Sequence, residues 1–445
     1  MRNLATHVWI TLDKLKERTA FARLRADGSV EEVTYTEWMR RVQRFAVAFM
    51  ERGLEPGQRV ALVGASDADA VAVAIGAWIA GACLVWVTPG EERVDVLRRL
   101  GRSGADWVVV ADRAGLDRVR GDGAKMPPTL QWLVLSGQGV GQIPSVVTLE
   151  VFEEQGRKRA VRGGVEQLQK RAFAVDAKQP SLIVFDPEGG DDPHGAHFSG
   201  EKVARMLGAL GEDLQLGEDE RFASLLGYVW FQSWLFMVAG LMKGVTLCDA
   251  PSVAALADGL GALSPTRVIA GPAFLERQAS RWRAHVDRTP ELLREVGEGS
   301  IARALSGISE RARRAFYKPV RDDVGDRLAS VYVVGGRLPP EAFDVLEQVG
   351  IAALGLWGLP EAGVSHMERP GATRRDSVGR PIQGVSCKTE RAKEGEAGEV
   401  LLKSMELFDG YWDEKGPRSI EDGWLRSGVE GTVREGFLYV GGGDG

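Results

Sequence analysis

From Glu37 to Arg52 the sequence EWMRRVQRFAVAFMER sets Trp38, Val42, Phe45, Ala46 and Phe49 at helical spacing, with the cationic residues mostly elsewhere. That pattern predicts an amphipathic helix buried along one face. GLEPGQRVALVGAS (53–66) then gives a Gly/Pro turn and a short apolar strand, DWVVVAD (106–112) a second strand and WLVLS (132–136) a third. A polar, charge-rich helical stretch (about 150–178) leads to the strand SLIVF (181–185). The alternation repeats in the middle third: a helix over 199–210, an apolar block over 222–244, then VTLCD, TRVIAG and SVYVVGG. The last hundred residues change character, with GEVLLKS, GWLRSG and GFLYVGG separated by Gly and Asp, the pattern of a small antiparallel β unit. Alternating strands and helices predict an α/β fold of layered sheets.

One stretch admits two readings. AVAVAIGAWIAGACLVWV, Ala70 to Val87, carries no charge over 18 residues, the lower limit for a bilayer span. It is rich in Ala and Gly, ends in the strand-like LVWV and meets Pro89 and Gly90, so the expectation is a buried helix running into a buried strand, and no transmembrane segment. GQGVG after the third strand superficially matches a dinucleotide loop, but QIPSVV follows it and no helix does, so it is discounted.

Composition narrows the function. A chain of 445 residues allows roughly three compact units, and 44% hydrophobic with 27% charged residues is ordinary for a folded protein. The net charge of -6 argues against a nucleic-acid partner. Cys83, Cys248 and Cys387 are too few and too widely spaced for a disulfide framework or a CxxC metal site. Asp13, Lys14 and Lys16 interrupt the N-terminus before any long apolar run develops. A reducing, cytoplasmic location is expected.

Several landmarks then stand in a telling order: TYTEW with its amphipathic helix, GLEPGQRVALVG, IAGACLVWVTPG, TRVIAGPAFLERQ, VGGRLPPEAFDVLEQVGIAALGLWGLPEAGV, DSVGRPIQGV, GEVLLKS, DGYW and DGWLRSG. The chain resembles the adenylate-forming (AMP-binding) superfamily, and within it the long-chain acyl-CoA synthetases, over nearly its whole length. The resemblance implies the large domain of such an enzyme: two layered α/β subdomains (about 1–180 and 181–345) and a small β-barrel-like subdomain (346–445). It also implies the family activity, in which a carboxylic acid and ATP form an acyl-adenylate before transfer to a thiol, with ATP and magnesium as cofactors.

The family's site elements, carried over by resemblance, are unevenly kept. Its Ser/Thr/Gly-rich phosphate loop ending in Pro-Lys-Gly corresponds to FDPEGGDDPHG, in which Gly189, Gly190, Pro193 and Gly195 keep their places and His194 stands for the lysine. No Ser or Thr occurs from Asp186 to Phe198, Pro187 lacks an N–H, and Asp186, Glu188, Asp191 and Asp192 add four carboxylates. Like charges 4 Å apart near a surface repel by about 4 kcal/mol per pair, so this loop is expected to reject ATP phosphates unless a cation intervenes. Gly335, Gly336, Trp357 and Gly358 match the adenine-binding elements, Trp357 for a tyrosine, and Glu361 matches the magnesium-binding glutamate; Pro360 replaces a threonine. WGLPE also reads as a turn with a core tryptophan. Val429 stands where an aspartate would grip the ribose hydroxyls, and Val229 where a histidine would line the acyl pocket. Gly442 stands for the hinge arginine and the chain ends at Gly445, which implies that the C-terminal small domain with its catalytic lysine is absent.

Taken together, these substitutions predict a degenerate acyl-CoA synthetase-like protein, inactive or impaired in catalysis and with no catalytic residue assigned, retained to bind a fatty-acid-like ligand or to assemble with a protein partner. The aromatic stretch Trp230, Phe231, Trp234, Phe236 is a candidate contact surface, with a core role as the alternative. Two other readings stay open. One is an active long-chain fatty acid–CoA ligase or acyl-adenylate-forming enzyme, on its own or completed in trans by a separate small domain. The other is a metal site in the altered loop, from Asp191, Asp192, His194 and His197, the two histidines sharing a face if helical.

Overall fold

The computed structural model describes residues 3–64, 67–87, 92–120, 129–186, 192–227, 230–287, 317–390, 395–412 and 416–441. The first two strands, β1 (Thr19–Leu24) and β2 (Val30–Thr34), form an antiparallel hairpin. The next seven are β3 (Arg59–Val63), β4 (Cys83–Val87), β5 (Trp107–Val110), β6 (Gln131–Val134), β7 (Val146–Thr148), β8 (Pro180–Phe185) and β9 (Gly195–Ser199). β3 to β8 pair in parallel, and β9 turns back antiparallel on β8. β10 (Arg221–Ser224), β11 (Thr246–Asp249), β12 (Arg267–Ala270), β13 (Ser330–Val333) and β14 (Ala352–Leu359) build a second parallel array, continued antiparallel by β15 (Gly363–Met367) and β16 (Arg380–Pro381). The remaining strands are β17 (Ser386–Thr389), β18 (Gly398–Lys403), β19 (Gly410–Tyr411), β20 (Ile420–Glu421), β21 (Trp424–Arg434) and β22 (Phe437–Val440).

Among the described residues three sheets result: eight strands in the order β19-β9-β8-β4-β3-β5-β6-β7, nine in the order β16-β15-β14-β13-β12-β10-β11-β1-β2, and five with β17-β18-β21-β20 in line and β22 beside β21. Sheet membership therefore crosses sequence order. The hairpin β1-β2 is the edge of the nine-stranded sheet through β1 on β11, and β19 crosses from the C-terminal third to pair with β9.

The elements follow from local chemistry. The helix Tyr35–Glu51 begins at a capping box, with Thr34 accepting the Glu37 N–H at 3.2 Å and the Glu37 carboxylate accepting the Thr34 N–H at 2.9 Å. Its buried face carries Trp38, Val42, Phe45, Ala46 and Phe49. The apolar run 70–87 forms the buried helix Ala68–Ile79, capped by Asp67, followed by the fully buried β4. Its freedom from charge reflects burial: Trp78 and Trp86 both pack on Trp234 of the helix Phe231–Met242, ring centres 4.8 and 4.9 Å apart. Among the described residues no helix is long and apolar enough to cross a membrane. Phe231, Trp234 and Phe236 are buried in this shared core, so that part of the aromatic stretch is core, because its helix is apolar on all faces and lies between the layers.

Candidate functional site

Parallel strands of an open α/β sheet present ligands at their carboxyl ends, and here β8, β13 and β14 converge in that way. A cavity of about 450 Å³ is lined by residues 184–186 at the end of β8, 333–338 after β13, 353–360 along β14, and 230–232 at the start of the buried helix. Arg418, Val429 and Val440 close it from the C-terminal third. Gly335, Gly336, Trp357 and Gly358 all line this cavity. Gly358 is demanded by the backbone: the β14-β15 register shifts at Trp357/Gly358, and a Cβ on Gly358 would stand 1.7 Å from the Gly363 carbonyl oxygen. Trp230 lines the cavity at the front of its helix.

Trp357 is backed by His366, the rings edge to face with centres 5.5 Å apart. His366 is fully buried; its Nδ1 lies 3.0 Å from Ser365 Oγ and its Nε2 has no hydrogen-bond partner among the described residues. Burial drives its pKa down to about 3. The unfolded chain therefore binds a proton between about pH 6.5 and 3 that the folded chain does not, so this group's contribution to stability falls as pH falls through that window. His366→Gln is expected to lose roughly 2 kcal/mol less than the wild type between pH 7 and pH 5, measured by urea unfolding at the two pH values.

Beneath the cavity is a buried ion-pair network. Glu361 is 1% exposed, and both its carboxylate oxygens accept from Arg418 Nη1, at 2.8 and 3.0 Å. The same nitrogen lies 3.1 Å from Asp186 Oδ2, and Arg418 Nε donates to the Ser427 carbonyl at 2.7 Å. Tyr411 donates its hydroxyl to Glu361 Oε1 at 2.7 Å and accepts the Arg418 backbone N–H at 3.2 Å. Burial pulls the Arg418 guanidinium down, but Glu361 and Asp186 outweigh it and hold the group above its ordinary value. Burial, and then the Glu361 charge, push the Tyr411 phenol up, so it remains a donor.

The described end of the altered loop, residues 192–195, sits beside this network. Pro193 is buried, Gly195 begins β9, and the His194 ring packs against Tyr411 with centres 5.9 Å apart. His194 Nε2 is 3.3 Å from the Asp192 carboxylate, which also pairs with Arg102. Two of the four loop carboxylates, Asp186 and Asp192, thus have arginine partners, which weakens the repulsion expected of them. Gly189, Gly190, Val229 and Gly442, with Pro187, Glu188 and Asp191, lie outside the described residues.

The helical face expected for His194 and His197 does not form. His197 is in strand β9, paired between Ile183 and Gly410 with its ring on Trp412, and His194 precedes the strand. Pairing on both sides makes this segment extended. Among the described residues no group of three His, Cys, Asp or Glu could hold a metal.

Nor do the residues fit magnesium at Glu361, since both of its oxygens already face a cationic nitrogen. Val429 lines the cavity where the ribose anchor is expected, and a valine side chain accepts no hydrogen bond.

Comparison with known proteins agrees with this architecture. The pattern of the AMP-binding enzyme family matches residues 9–412. The chain belongs to the AMP-binding enzyme family. Two relatives in it are the long-chain-fatty-acid–CoA ligase ACSBG2 of Xenopus laevis, 22% identical over 97% of this chain and 61% of its own length, and the long-chain-fatty-acid–CoA ligase heimdall of Drosophila melanogaster, 22% identical over 90% and 63%. The chain thus spans somewhat over three-fifths of these relatives. The fold is also that of the inhibitor-bound N-terminal domain of FACL13 from Mycobacterium tuberculosis, with a TM-score of 0.74 at 17% identity over 99% of this chain and 100% of that one. A Mycobacterium tuberculosis fatty acyl CoA synthetase matches with a TM-score of 0.72 at 18% identity, over 98% of this chain and 78% of that one. The layered α/β fold of the chain is thereby shown to be that of these solved structures.

Sequence reasoning missed Arg418 and Tyr411 in this AMP-binding family member. Tyr411 falls inside the landmark DGYW, but Arg418 lies between two landmarks, 57 residues from Glu361 and 232 from Asp186. No local spacing signals such a contact.

Proposed function

We propose that this chain is a degenerate acyl-CoA synthetase-like protein that holds a fatty-acid-like ligand in its cavity without adenylating it. The observation that carries the reading is the Glu361 carboxylate, both of whose oxygens are engaged by Arg418 inside the chain. Adenylation places new charge on transferring phosphoryl oxygens, and catalysis depends on donors and metal aimed at that charge. Here the carboxylate expected to hold the metal is occupied, and Val429 stands in place of the ribose acceptor. The cavity of about 450 Å³ is of ligand size, and Trp230, Leu338, Phe343, Leu356 and Val429 give it apolar walls. Three free cysteines support a cytoplasmic location.

The test pairs two measurements on the full chain. Displacement of a fluorescent fatty acid by unlabelled acids of graded length should be saturable, while ATP–pyrophosphate exchange with the same acids and magnesium should stay at background. Robust exchange would overturn the reading. A second reading, an active ligase using ATP and magnesium, is favoured by Trp357 and Gly358 lining the cavity; it requires exchange by this chain.

A further inference from the structure

We infer that Arg418 is a built-in replacement for a divalent cation: the ligand site works without metal, and Arg418 keeps a latent metal pair, Asp186 and Glu361, closed. The inference rests on the non-adenylating reading above and deepens it.

The geometry is that of oxygen ligands gathered on one cationic atom. Arg418 Nη1 has three carboxylate oxygens within 3.1 Å, two from Glu361 and one from Asp186. A guanidinium Nη carries only two hydrogens, so three acceptors converge on charge more than on individual N–H directions. Nor is the side chain a loose surface arm. It is 17% exposed, against 1% for Glu361 and 21% for Asp186. Its Nε is tied to the Ser427 carbonyl, and its backbone N–H to the hydroxyl that also donates to Glu361. Gly416, two residues earlier, lies so close over the Tyr411 ring that a Cβ there would be 2.2 Å from it. The strap carrying Arg418 is thus seated on the same tyrosine that completes the network.

Charge then decides between cations. Two carboxylates and one guanidinium leave a single negative charge. Adding a divalent ion to the same pocket would set three positive charges against two negative ones, at separations where like charges repel strongly. A hard cation also needs several oxygen ligands at short range, and the Glu361 oxygens are already shared between Arg418 and Tyr411. The ligand suited to this site is therefore one that brings no chelated metal.

The experiment titrates this chain with Mn²⁺ alone and follows the loss of the free-ion signal by electron paramagnetic resonance, with circular dichroism to monitor folding. The wild type is expected to show no site-specific binding. Arg418→Gln should bind one Mn²⁺ per chain at least about tenfold more tightly, and Arg418→Gln with Glu361→Gln should lose it again. Arg418→Lys keeps the charge and should behave as the wild type. Stoichiometric Mn²⁺ binding by the wild type that Glu361→Gln removes would overturn the inference, as would a folded Arg418→Gln that binds no better than the wild type. If Arg418→Gln does not fold, the wild type and Glu361→Gln decide: equal absence of binding supports the inference, and a Glu361-dependent site in the wild type ends it. Metal binding by the wild type without pyrophosphate exchange would defeat this inference alone, whereas exchange would defeat the functional reading.

Discussion

Arg418→Ala is expected to lower the unfolding free energy by about 3 kcal/mol at neutral pH, the lower end of the range for removing one partner of a buried ion pair. The cost comes less from the lost attraction than from what is left behind. Glu361, 1% exposed, would keep a buried negative charge with Tyr411 as its remaining side-chain donor. The Asp186 carboxylate, at 21% exposure, can turn to water, which keeps the loss from reaching the upper end. Two controls give the prediction its shape. Arg418→Ala combined with Glu361→Gln should recover part of the loss, because a neutral amide leaves no stranded charge. Lys170→Ala, at an exposed pair with Glu166, should cause no measurable loss. Urea denaturation of the four proteins checks this. Equal destabilisation by the single and double variants would show that packing of the arginine stem, and not stranded charge, is what is lost.

Gly358→Ala is expected to cost about 3 kcal/mol, the severe end of what overpacking does to a closed site. Its added Cβ would lie 1.7 Å from the Gly363 carbonyl oxygen and 3.0 Å from Val364 Cα. Both obstacles are backbone of the paired strand β15, so no rotamer change relieves them. The β14-β15 hairpin must open, and Trp357 and Glu361, next to and inside it, must move. Gly335→Ala is the useful comparison. It lines the same cavity with φ of +84° and has nothing within 4 Å of its missing Cβ, so only the left-handed backbone opposes the change, at about 1 kcal/mol. Thermal unfolding should separate the two, and only Gly358→Ala should also weaken fatty-acid displacement. Equal effects would mean that steric closure at Gly358 is relieved elsewhere.

What could be read from the sequence is what local periodicity encodes. The helix over 37–52 follows from apolar side chains three and four apart, neighbours within one turn. The strands SLIVF, DWVVVAD and GEVLLKS follow from short apolar runs between turns, and the rejection of GQGVG needed only the residues after it. Family landmarks in order carried the α/β large domain in the same way, since each landmark is a local motif.

Pairing of distant segments was decided by the tertiary structure. The free-of-charge run 70–87 is apolar because its helix is buried and its strand is interior to the eight-stranded sheet, and the contact of Trp78 and Trp86 with Trp234 shows what covers them. His194 and His197 do not share a helical face because β8 and β19 hold that segment extended. The network of Asp186, Glu361 and Arg418 joins the end of β8, the β14-β15 turn and the strap before β20. Nothing in any one of those segments implies the other two, because side-chain patterns report neighbours within a turn or along a strand, whereas this site is made by which strands lie side by side. Sequence by itself therefore determined many of the elements, their order and the kinship; the tertiary structure alone decided that the glutamate matching a metal ligand faces an arginine of its own chain.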